Sequence, residues 1–232
     1  SMVQRPVVVG KLRWRRQMAV EEFTYLRGRT KKPVKVTLLS AQQVSAYYDP
    51  EKSRAAYPTR DAYVADLVDF TRREIDELRR LGCQYVQIDP PQYAALLDET
   101  IREGYRQRGS DPDKMLDACI ELDNAIIEGH AGVTFGIHIC RGNYRSMFYA
   151  SGGYDRIAEK VFSRVRFNRF LLEYDDERSG TFEPLRHVPE DRTDVLALVS
   201  SKKPRLESRD ELLARIEEAA RIIPRERLAL SP

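Results

Sequence analysis

Short runs of β-branched and other apolar residues alternate along the chain with longer segments in which apolar residues recur every three or four positions. Such short runs predict strands, and the longer segments predict amphipathic helices. The candidate strands are residues 7–9, 34–39, 85–88, 133–139, 169–173, 195–199 and 228–230. Strands that alternate with helices are typical of an α/β protein with a parallel sheet.

Two of the predicted helices have clear ends. Residues 61–81 carry an apolar stripe, and Gly82 follows where a glycine commonly ends a helix. Ser208 and Glu211 have the spacing of a capping box, which predicts a helix that continues to Pro224. The buried stripe predicted for this helix is Leu212, Leu213, Ile216, Ala219, Ala220 and Ile223. Each helix leads directly into the next predicted strand.

We expect a (β/α)₈ barrel rather than an open doubly wound sheet. The chain has no Gly-x-Gly-x-x-Gly turn after a strand and no Walker-type glycine loop, which are common in open sheets. In a barrel the active site is built at the carboxyl ends of the strands. Polar residues follow several predicted strands there: Asp89, Cys140, Glu173 and Ser200-Ser201-Lys202.

Composition narrows the class of protein. The chain has 232 residues, 42% of them hydrophobic and 32% charged, which predicts one domain over residues 1–232. Basic and acidic residues number 39 and 36 and are interspersed, which argues against a dedicated nucleic-acid binder. No apolar run approaches the roughly 20 residues that cross a membrane. We therefore expect a soluble, cytoplasmic protein whose three cysteines are reduced thiols.

His138 and Cys140 form the first candidate site. They lie two positions apart in a predicted strand, so their side chains point to the same face. Imidazole and thiolate are preferred zinc ligands, and Glu173 at the end of the next strand supplies a third. Cys83 and Cys119 are poor third ligands, because one precedes its strand and the other lies in a helical segment. The alternative is a hydrogen-bonded histidine beside a buried thiol.

Asp89 is the second candidate. It ends the strand Gln87-Ile88-Asp89 and is followed by two prolines that stiffen the exit. A carboxylate in this position suits the ammonium group of an amino-acid substrate. The alternative is an ordinary aspartate in a turn.

The ordered set of motifs resembles one family. The motifs are Gln-Ile-Asp-x-Pro, Ile-His-x-Cys, an apolar strand ending in Glu173, and a helix leading to Ile-Pro-x-Glu-Arg-Leu. From about Pro6 to the last residue the chain resembles the catalytic domain of cobalamin-independent methionine synthase and its shorter relatives. Arg141-Gly142-Asn143 after Cys140 is unlike the long methionine synthases and groups the chain with the shorter relatives.

The resemblance implies a zinc-dependent methyltransferase that uses no cobalamin. In that family a (β/α)₈ barrel holds zinc through His, two Cys and Glu, and the zinc binds the homocysteine thiol. A methyltetrahydrofolate-type donor supplies the methyl group, and methionine is the product. The implied metal ligands are His138, Cys140 and Glu173, with Asp89 contacting the homocysteine amino group and Tyr47 lining the folate pocket.

Two departures from the family change these expectations. Family members carry a second zinc cysteine just beyond the final strand, whereas this chain ends at Leu230-Ser231-Pro232. They also begin with two strands that bear a Gly-Ser-x-Pro turn and a Gly-Glu pair, and neither occurs before Pro6. We therefore expect a barrel that lacks its first two strands and the segment after its last. Such a chain binds zinc weakly, and its exposed strand edges favour a homo-oligomer.

Three other functions remain open. A related enzyme uses the same zinc-bound thiolate with another donor or acceptor, such as an epoxide or an aryl methyl ether. An incomplete barrel is instead inactive or serves as an interaction module. A uroporphyrinogen-decarboxylase-like barrel shares the architecture but needs no His-x-Cys pair.

Overall fold

Six parallel strands form one sheet in a computed structural model, which describes residues 6–232. Their spatial order is β1-β2-β3-β4-β5-β6, the same as their order along the chain. The strands are β1 (Lys35–Leu39), β2 (Tyr85–Asp89), β3 (Thr134–Ile139), β4 (Arg169–Glu173), β5 (Thr193–Ala197) and β6 (Leu228–Ser231). The expectation of consecutive parallel strands is confirmed. A doubly wound sheet is excluded, because its strand order reverses at a switch point.

Eight α-helices accompany the strands in the described part of the chain. They are α1 (Val20–Arg27), α2 (Ala41–Ser45), α3 (Arg60–Arg80), α4 (Gln92–Leu97), α5 (Glu99–Gln107), α6 (Pro112–Ile127), α7 (Asp155–Arg164) and α8 (Arg209–Ala220). Short 3₁₀ turns lie at Glu177–Ser179, Glu183–His187 and Arg225–Arg227. Between residues 6 and 232 there is no helix whose length and apolar character would let it cross a membrane.

Two strand predictions differ from the structure. Residues 7–9 form no strand, because the Val8 N–H donates to the carbonyl of Tyr47 in the loop after α2 and not to a neighbouring strand. Strand β5 begins at Thr193 and ends at Ala197, two residues earlier than the apolar run indicates. Its second residue, Asp194, is fully buried. A buried carboxylate inside a strand interrupts the apolar pattern from which strands are predicted.

The helix ends follow the predicted signals. Helix α3 stops before Gly82, whose φ of 90° is the left-handed conformation that glycine adopts most readily. At the start of α8 the Ser208 hydroxyl accepts from the Glu211 N–H at 3.2 Å, while Glu211 Oε2 accepts from the Ser208 N–H at 2.8 Å. The capping box is therefore confirmed.

The predicted apolar stripe of α8 is confirmed in part. Ala219 and Ile223 are buried, and Leu212 and Ile216 are half-buried against the core, whereas 41% of Leu213 is exposed. The helix also ends at Ala220, before the predicted limit. Helix α8 connects β5 to the edge strand β6.

Burial falls toward the two ends of the sheet. The central strands are buried along most of their length, as expected when both faces of a parallel sheet are covered. In β1, by contrast, buried and exposed residues alternate. Leu39 on β1 and Leu230 on β6 are about half exposed, at 53% and 48%. Residues 6–232 thus form a six-stranded sheet with β1 and β6 at its ends, not a closed eight-stranded barrel.

Candidate functional site

Three neighbouring strands bring four of the predicted residues to one edge of the sheet. Asp89 ends β2, His138 lies in β3 with Cys140 directly after that strand, and Glu173 ends β4. The last pair in register between β3 and β4 is Ile139 with Leu172, so Cys140 and Glu173 occupy the next step. Because carboxyl ends of parallel strands share an edge, sequence order alone places these side chains in one region.

The side chains of His138 and Cys140 affect each other's ionisation. Burial alone would lower the pKa of His138, but its interactions with Cys140 and with the carboxylates of Asp89 and Glu173 raise that pKa above 6.5. Burial alone would raise the pKa of Cys140, but the interaction with His138 and the hydrogen bond from the Gly142 N–H together lower that pKa. The two side chains thus shift each other's pKa in the directions that favour the charged forms.

Asp89 is held by a chain of hydrogen bonds along the sheet. Its Oδ1 accepts from the side-chain amide of Gln87 at 2.7 Å, and the amide oxygen of Gln87 accepts from Lys35 Nζ, also at 2.7 Å. Asp89 itself is only partly buried. One carboxylate oxygen is thus fixed by Gln87, which orients the group at the open edge of the sheet.

Glu173 is buried among positively charged groups. Its Oε1 lies 3.2 Å from Arg178 Nη1, and its Oε2 lies 3.2 Å from Lys202 Nζ. The backbone N–H of Arg141 also donates to Oε2 at 2.9 Å. Both oxygens are therefore engaged, and Lys202 comes from Ser200-Ser201-Lys202, the polar segment that follows the run 195–199 in the sequence.

Two further carboxylates share these cations. Asp175 lies 3.1 Å from Arg178 and 3.6 Å from Lys202, and Asp176 lies 2.8 Å from Arg178 Nε. Sequence reasoning missed Arg178 and Asp175. A signal for them exists, because Asp175-Asp176-Glu177-Arg178 follows β4 directly and so starts at the edge where Glu173 ends.

The donor set matches zinc in chemical type but not in arrangement. Nitrogen of His138, sulfur of Cys140 and oxygen of Glu173 are the donors that zinc takes from proteins. No group of three or more His, Cys, Asp or Glu side chains between residues 6 and 232 is close enough to hold a metal as it stands. Glu173 is instead ion-paired with Arg178 and Lys202, and it would have to give up one of these cations to ligate a metal.

Tyr47 lies apart from these residues. It lines a cavity of about 930 Å³ bordered by helices α2, α3 and α6, together with Gln43, Arg60, Gln92 and Tyr105. His138, Cys140 and Glu173 do not line this cavity. The structure thus gathers four of the five predicted residues and places Tyr47 at a separate surface.

The other two cysteines are remote from the site, as expected. Cys83 precedes β2 and Cys119 lies in α6, and burial raises the pKa of each thiol. All three cysteines are free thiols, and Cys140 is the least buried of them. Cys140 is therefore the thiol most available to a ligand or a metal.

An exposed turn at residues 144–147 follows Cys140 along the chain. Tyr144 and Met147 pair across it, and the two residues between them, Arg145 and Ser146, have φ of 55° and 62°. Non-glycine residues rarely adopt this left-handed conformation, and such strain is concentrated at functional positions. The sequence does not predict this turn, because residues 144–147 include neither glycine nor proline.

The segment after the turn reaches the ends of two other strands. The Tyr149 hydroxyl donates to the carbonyl of Pro91, just beyond β2. The guanidinium of Arg178, beyond β4, lies 4.2 Å from the centre of the Phe148 ring. Phe148 and Tyr149 are each 49% exposed. Aromatic side chains therefore border the same edge of the sheet as Asp89 and Glu173.

A sequence profile described as "Cobalamin-independent synthase, Catalytic domain" matches residues 1–232, the whole chain. The chain belongs to this family. Its match confirms the resemblance drawn from the motifs around Asp89, His138 and Glu173. The chain is a methionine-synthase-like member, in keeping with relatives that carry the name methionine synthase.

Individual relatives agree with this family. The chain is 32% identical over 228 residues to the uncharacterized protein YxjH of Bacillus subtilis, covering 97% of this chain and 60% of that protein. It is 24% identical to methionine synthase of Pyrococcus abyssi, covering 98% of this chain and 58% of that protein. The chain thus spans about three fifths of the length of each.

A solved structure shows the same fold. A B12-independent methionine synthase from a Shewanella species, in complex with selenomethionine, superposes with a TM-score of 0.75 at 18% identity. The match covers 97% of this chain and 61% of that one. The arrangement of strands and helices is therefore shared with a longer protein.

Proposed function

We propose that the protein containing this chain is a zinc-dependent methyltransferase. It transfers a methyl group from a methyltetrahydrofolate-type donor to the thiol of homocysteine and so forms methionine. Membership of the cobalamin-independent synthase family supports this function. The observation that carries it is the position of His138, Cys140 and Glu173 at the carboxyl ends of two adjacent strands, with Asp89 at the end of the neighbouring strand β2.

His138, Cys140 and Glu173 are the proposed zinc ligands. Their nitrogen, sulfur and oxygen donors come from two adjacent strands whose register places Cys140 beside Glu173. Zinc held by these residues would lower the pKa of a coordinated substrate thiol, so that a thiolate would be available at neutral pH. A fourth ligand, the cysteine that the family carries beyond its last strand, is not among residues 1–232.

Asp89 is the proposed contact for the amino group of homocysteine. Gln87 donates to Oδ1, whereas Oδ2 accepts no hydrogen bond from any of residues 6–232. A carboxylate oriented in this way binds an ammonium group and directs the thiol of the same molecule toward Cys140 and Glu173. Tyr47 remains the proposed folate contact. Its side chain lines the cavity of about 930 Å³, which His138, Cys140 and Glu173 do not line.

We propose that the six strands are a contiguous part of a (β/α)₈ barrel and that residues 1–232 form one partial barrel domain. Their sequential parallel order is that of a barrel wall. The exposed Leu39 and Leu230 on the edge strands support this, because a closed barrel would cover both.

The test uses the full-length gene product. We expect about one equivalent of zinc per chain by metal analysis and transfer of a methyl group to homocysteine from a methyltetrahydrofolate donor. Cys140→Ala should remove both zinc and transfer, while Cys119→Ala, a buried thiol in α6, should leave both unchanged. Methyl transfer that survives Cys140→Ala would refute the proposal. Zinc binding without transfer to homocysteine would indicate another acceptor, to be sought among other thiols.

A further inference from the structure

Arg141 is fully buried, and its guanidinium contacts carbonyl groups instead of a carboxylate. Nη1 donates to the carbonyl of Glu173 at 3.1 Å, and Nη2 donates to the carbonyl of Gly152 at 2.6 Å. The guanidinium carbon lies 4.0 Å from the centre of the Tyr154 ring, a cation–π contact. No ion pair of Arg141 with a carboxylate is found among residues 6–232. Arg141 is also the largest fully buried side chain in this range.

Stability alone does not explain an arginine in this position. Burying a guanidinium is unfavourable unless its charge is compensated, and an apolar side chain would fill the space without that penalty. Arg141 instead makes two separate hydrogen bonds to Glu173. Its side chain binds the Glu173 carbonyl, while its backbone N–H binds the carboxylate Oε2 at 2.9 Å.

Tyr154 completes this connection. Its hydroxyl donates to the carbonyl of Ile139 at 2.5 Å and accepts from the N–H of Glu173 at 2.8 Å. The hydroxyl therefore joins β3 to β4 at the point where their register ends, one residue before Cys140. The Tyr154 ring in turn supports the guanidinium of Arg141. Two buried side chains, neither of which is a candidate ligand, thus set the spacing between Cys140 and Glu173.

We infer that Arg141 is a positioning residue, which together with the Tyr154 hydroxyl fixes Cys140 and Glu173 relative to each other for metal binding. This inference rests on the proposed function. Some residues contact the metal ligands but not the metal itself. Mutating such a residue typically lowers metal affinity by about 10- to 100-fold. Loss of the Arg141 side chain frees both the Glu173 carbonyl and the loop carbonyl of Gly152, so the two donors are held less rigidly.

The first test compares Arg141→Gln with Arg102→Gln in the full-length gene product. Arg102 is a matched control, because it is 3% exposed and donates to the carbonyl of Leu96 and to Asp113, away from the site. Zinc affinity is measured by competition with a chromophoric chelator, and thermal unfolding is measured in parallel. We expect both variants to lose thermal stability, but only Arg141→Gln to lose about 10- to 100-fold in zinc affinity.

A second pair of variants keeps the packing intact. Tyr154→Phe removes the bridging hydroxyl, and Tyr174→Phe is its control, because the buried Tyr174 hydroxyl has no hydrogen-bond partner among the described residues. Cobalt(II) is the probe, since its absorption spectrum reports ligand geometry. We expect Tyr154→Phe to weaken cobalt binding and alter the spectrum, and Tyr174→Phe to change neither. This pair decides the question if Arg141→Gln does not fold.

Equal metal affinities in Arg141→Gln and Arg102→Gln, or in Tyr154→Phe and Tyr174→Phe, would overturn the inference. Cys140→Ala separates this failure from failure of the proposed function. If Cys140→Ala abolishes metal binding while the variants of Arg141 and Tyr154 bind normally, only the positioning role is wrong. If Cys140→Ala binds metal as tightly as the wild type, the metal site itself is wrong.

Discussion

The ammonium of Lys202 lies 3.2 Å from the Glu173 carboxylate, and both side chains are almost completely buried. A zinc ion that takes Glu173 as a ligand must displace this ammonium or be repelled by it. Lys202 also lies 3.6 Å from Asp175, so it can stay paired after leaving Glu173. If Glu173 is a zinc ligand as proposed, the lysine would compete with the metal ion for the same carboxylate.

Lys202→Met should for this reason bind zinc more tightly than the wild type. The substitution keeps the length of the side chain and removes the competing charge, and we expect a gain of about tenfold, the size of effect common for groups behind metal ligands. Chelator competition on the full-length protein measures it. Lys203→Met is the control, because Lys203 is 63% exposed and pairs with Asp176. A lower affinity in Lys202→Met would show that Lys202 supports the site.

Cys140 should be the first cysteine to react with iodoacetamide at neutral pH. It is only partly buried, whereas burial raises the pKa of both Cys83 and Cys119 and limits access to them. We expect Cys140 to react at least about tenfold faster than either, because the thiolate is the reactive form. Peptide mass spectrometry over time gives the three rates. Added zinc should slow only Cys140, and preferential modification of Cys119 would contradict the burial pattern.

The sequence predicts which residues share this edge of the sheet better than it predicts what surrounds them. Parallel register brings Asp89, His138, Cys140 and Glu173 to one edge, and period-two alternation and strand order suffice to foresee this. The charged partners of Glu173, by contrast, are not predicted by the sequence pattern. Arg178 and Lys202 reach it from loops, where no periodicity governs side-chain direction. Their pairing depends on charges that only the folded chain brings together.

The errors in the fold also have local causes. The apolar run at residues 7–9 looks like a strand, but its backbone bonds to the loop at Tyr47. The stripe of α8 does pack against the core through Leu212 and Ile216, but its member Leu213 is exposed. An apolar pattern alone does not determine how completely each residue is covered. Arg141 shows the converse, since a charged residue after a strand is expected at the surface and is fully buried.

Gly142→Ala should expose Cys140 by displacing the segment beyond it. Gly142 has φ of 87°, and a Cβ there would overlap the ring of Tyr149, whose hydroxyl binds the Pro91 carbonyl. We expect Tyr149 to move and the alkylation rate of Cys140 to rise several-fold. Gly109→Ala is the control, with a similar φ of 78° and open space around the added methyl. Equal alkylation rates in the two variants would show that the Tyr149 contact does not shield the thiol.

Asp123 should make folding stability depend on pH. It is fully buried in α6, where Ser40 Oγ donates to Oδ1 at 2.7 Å and Gln42 Nε2 donates to Oδ2 at 2.6 Å. Burial outweighs these hydrogen bonds and raises the pKa of Asp123 to about 7 from 3.8. Cys119 and Tyr93 also face it, but burial raises the pKa of both, so they stay neutral across this range.

Between pH 3.8 and about 7, the Asp123 carboxyl keeps its proton in the folded protein but loses it in the unfolded chain. The stabilisation is therefore complete below about pH 4 and is lost as the pH rises through about 7, an upper limit of about 4 kcal/mol at 1.36 kcal/mol per pKa unit. Asp123→Asn, which has no carboxyl to ionise, should flatten this part of the profile. Urea unfolding at intervals from pH 4.5 to about 8.5 measures the free energy of unfolding.

Two controls isolate the contribution of Asp123. Burial also raises the pKa of Asp194 to about 7, so adding Asp194→Asn to Asp123→Asn should flatten the profile further. The raised pKa of His138 leaves a residual slope of the same sign. Asp69→Asn alters an exposed carboxylate on α3 that pairs with Arg73, and it should leave the slope between pH 5 and 7 as in the wild type. Because the native state alone retains the proton, stability must fall with rising pH. Parallel profiles for the wild type and Asp123→Asn would mean that Asp123 ionises in the folded protein at its ordinary pKa.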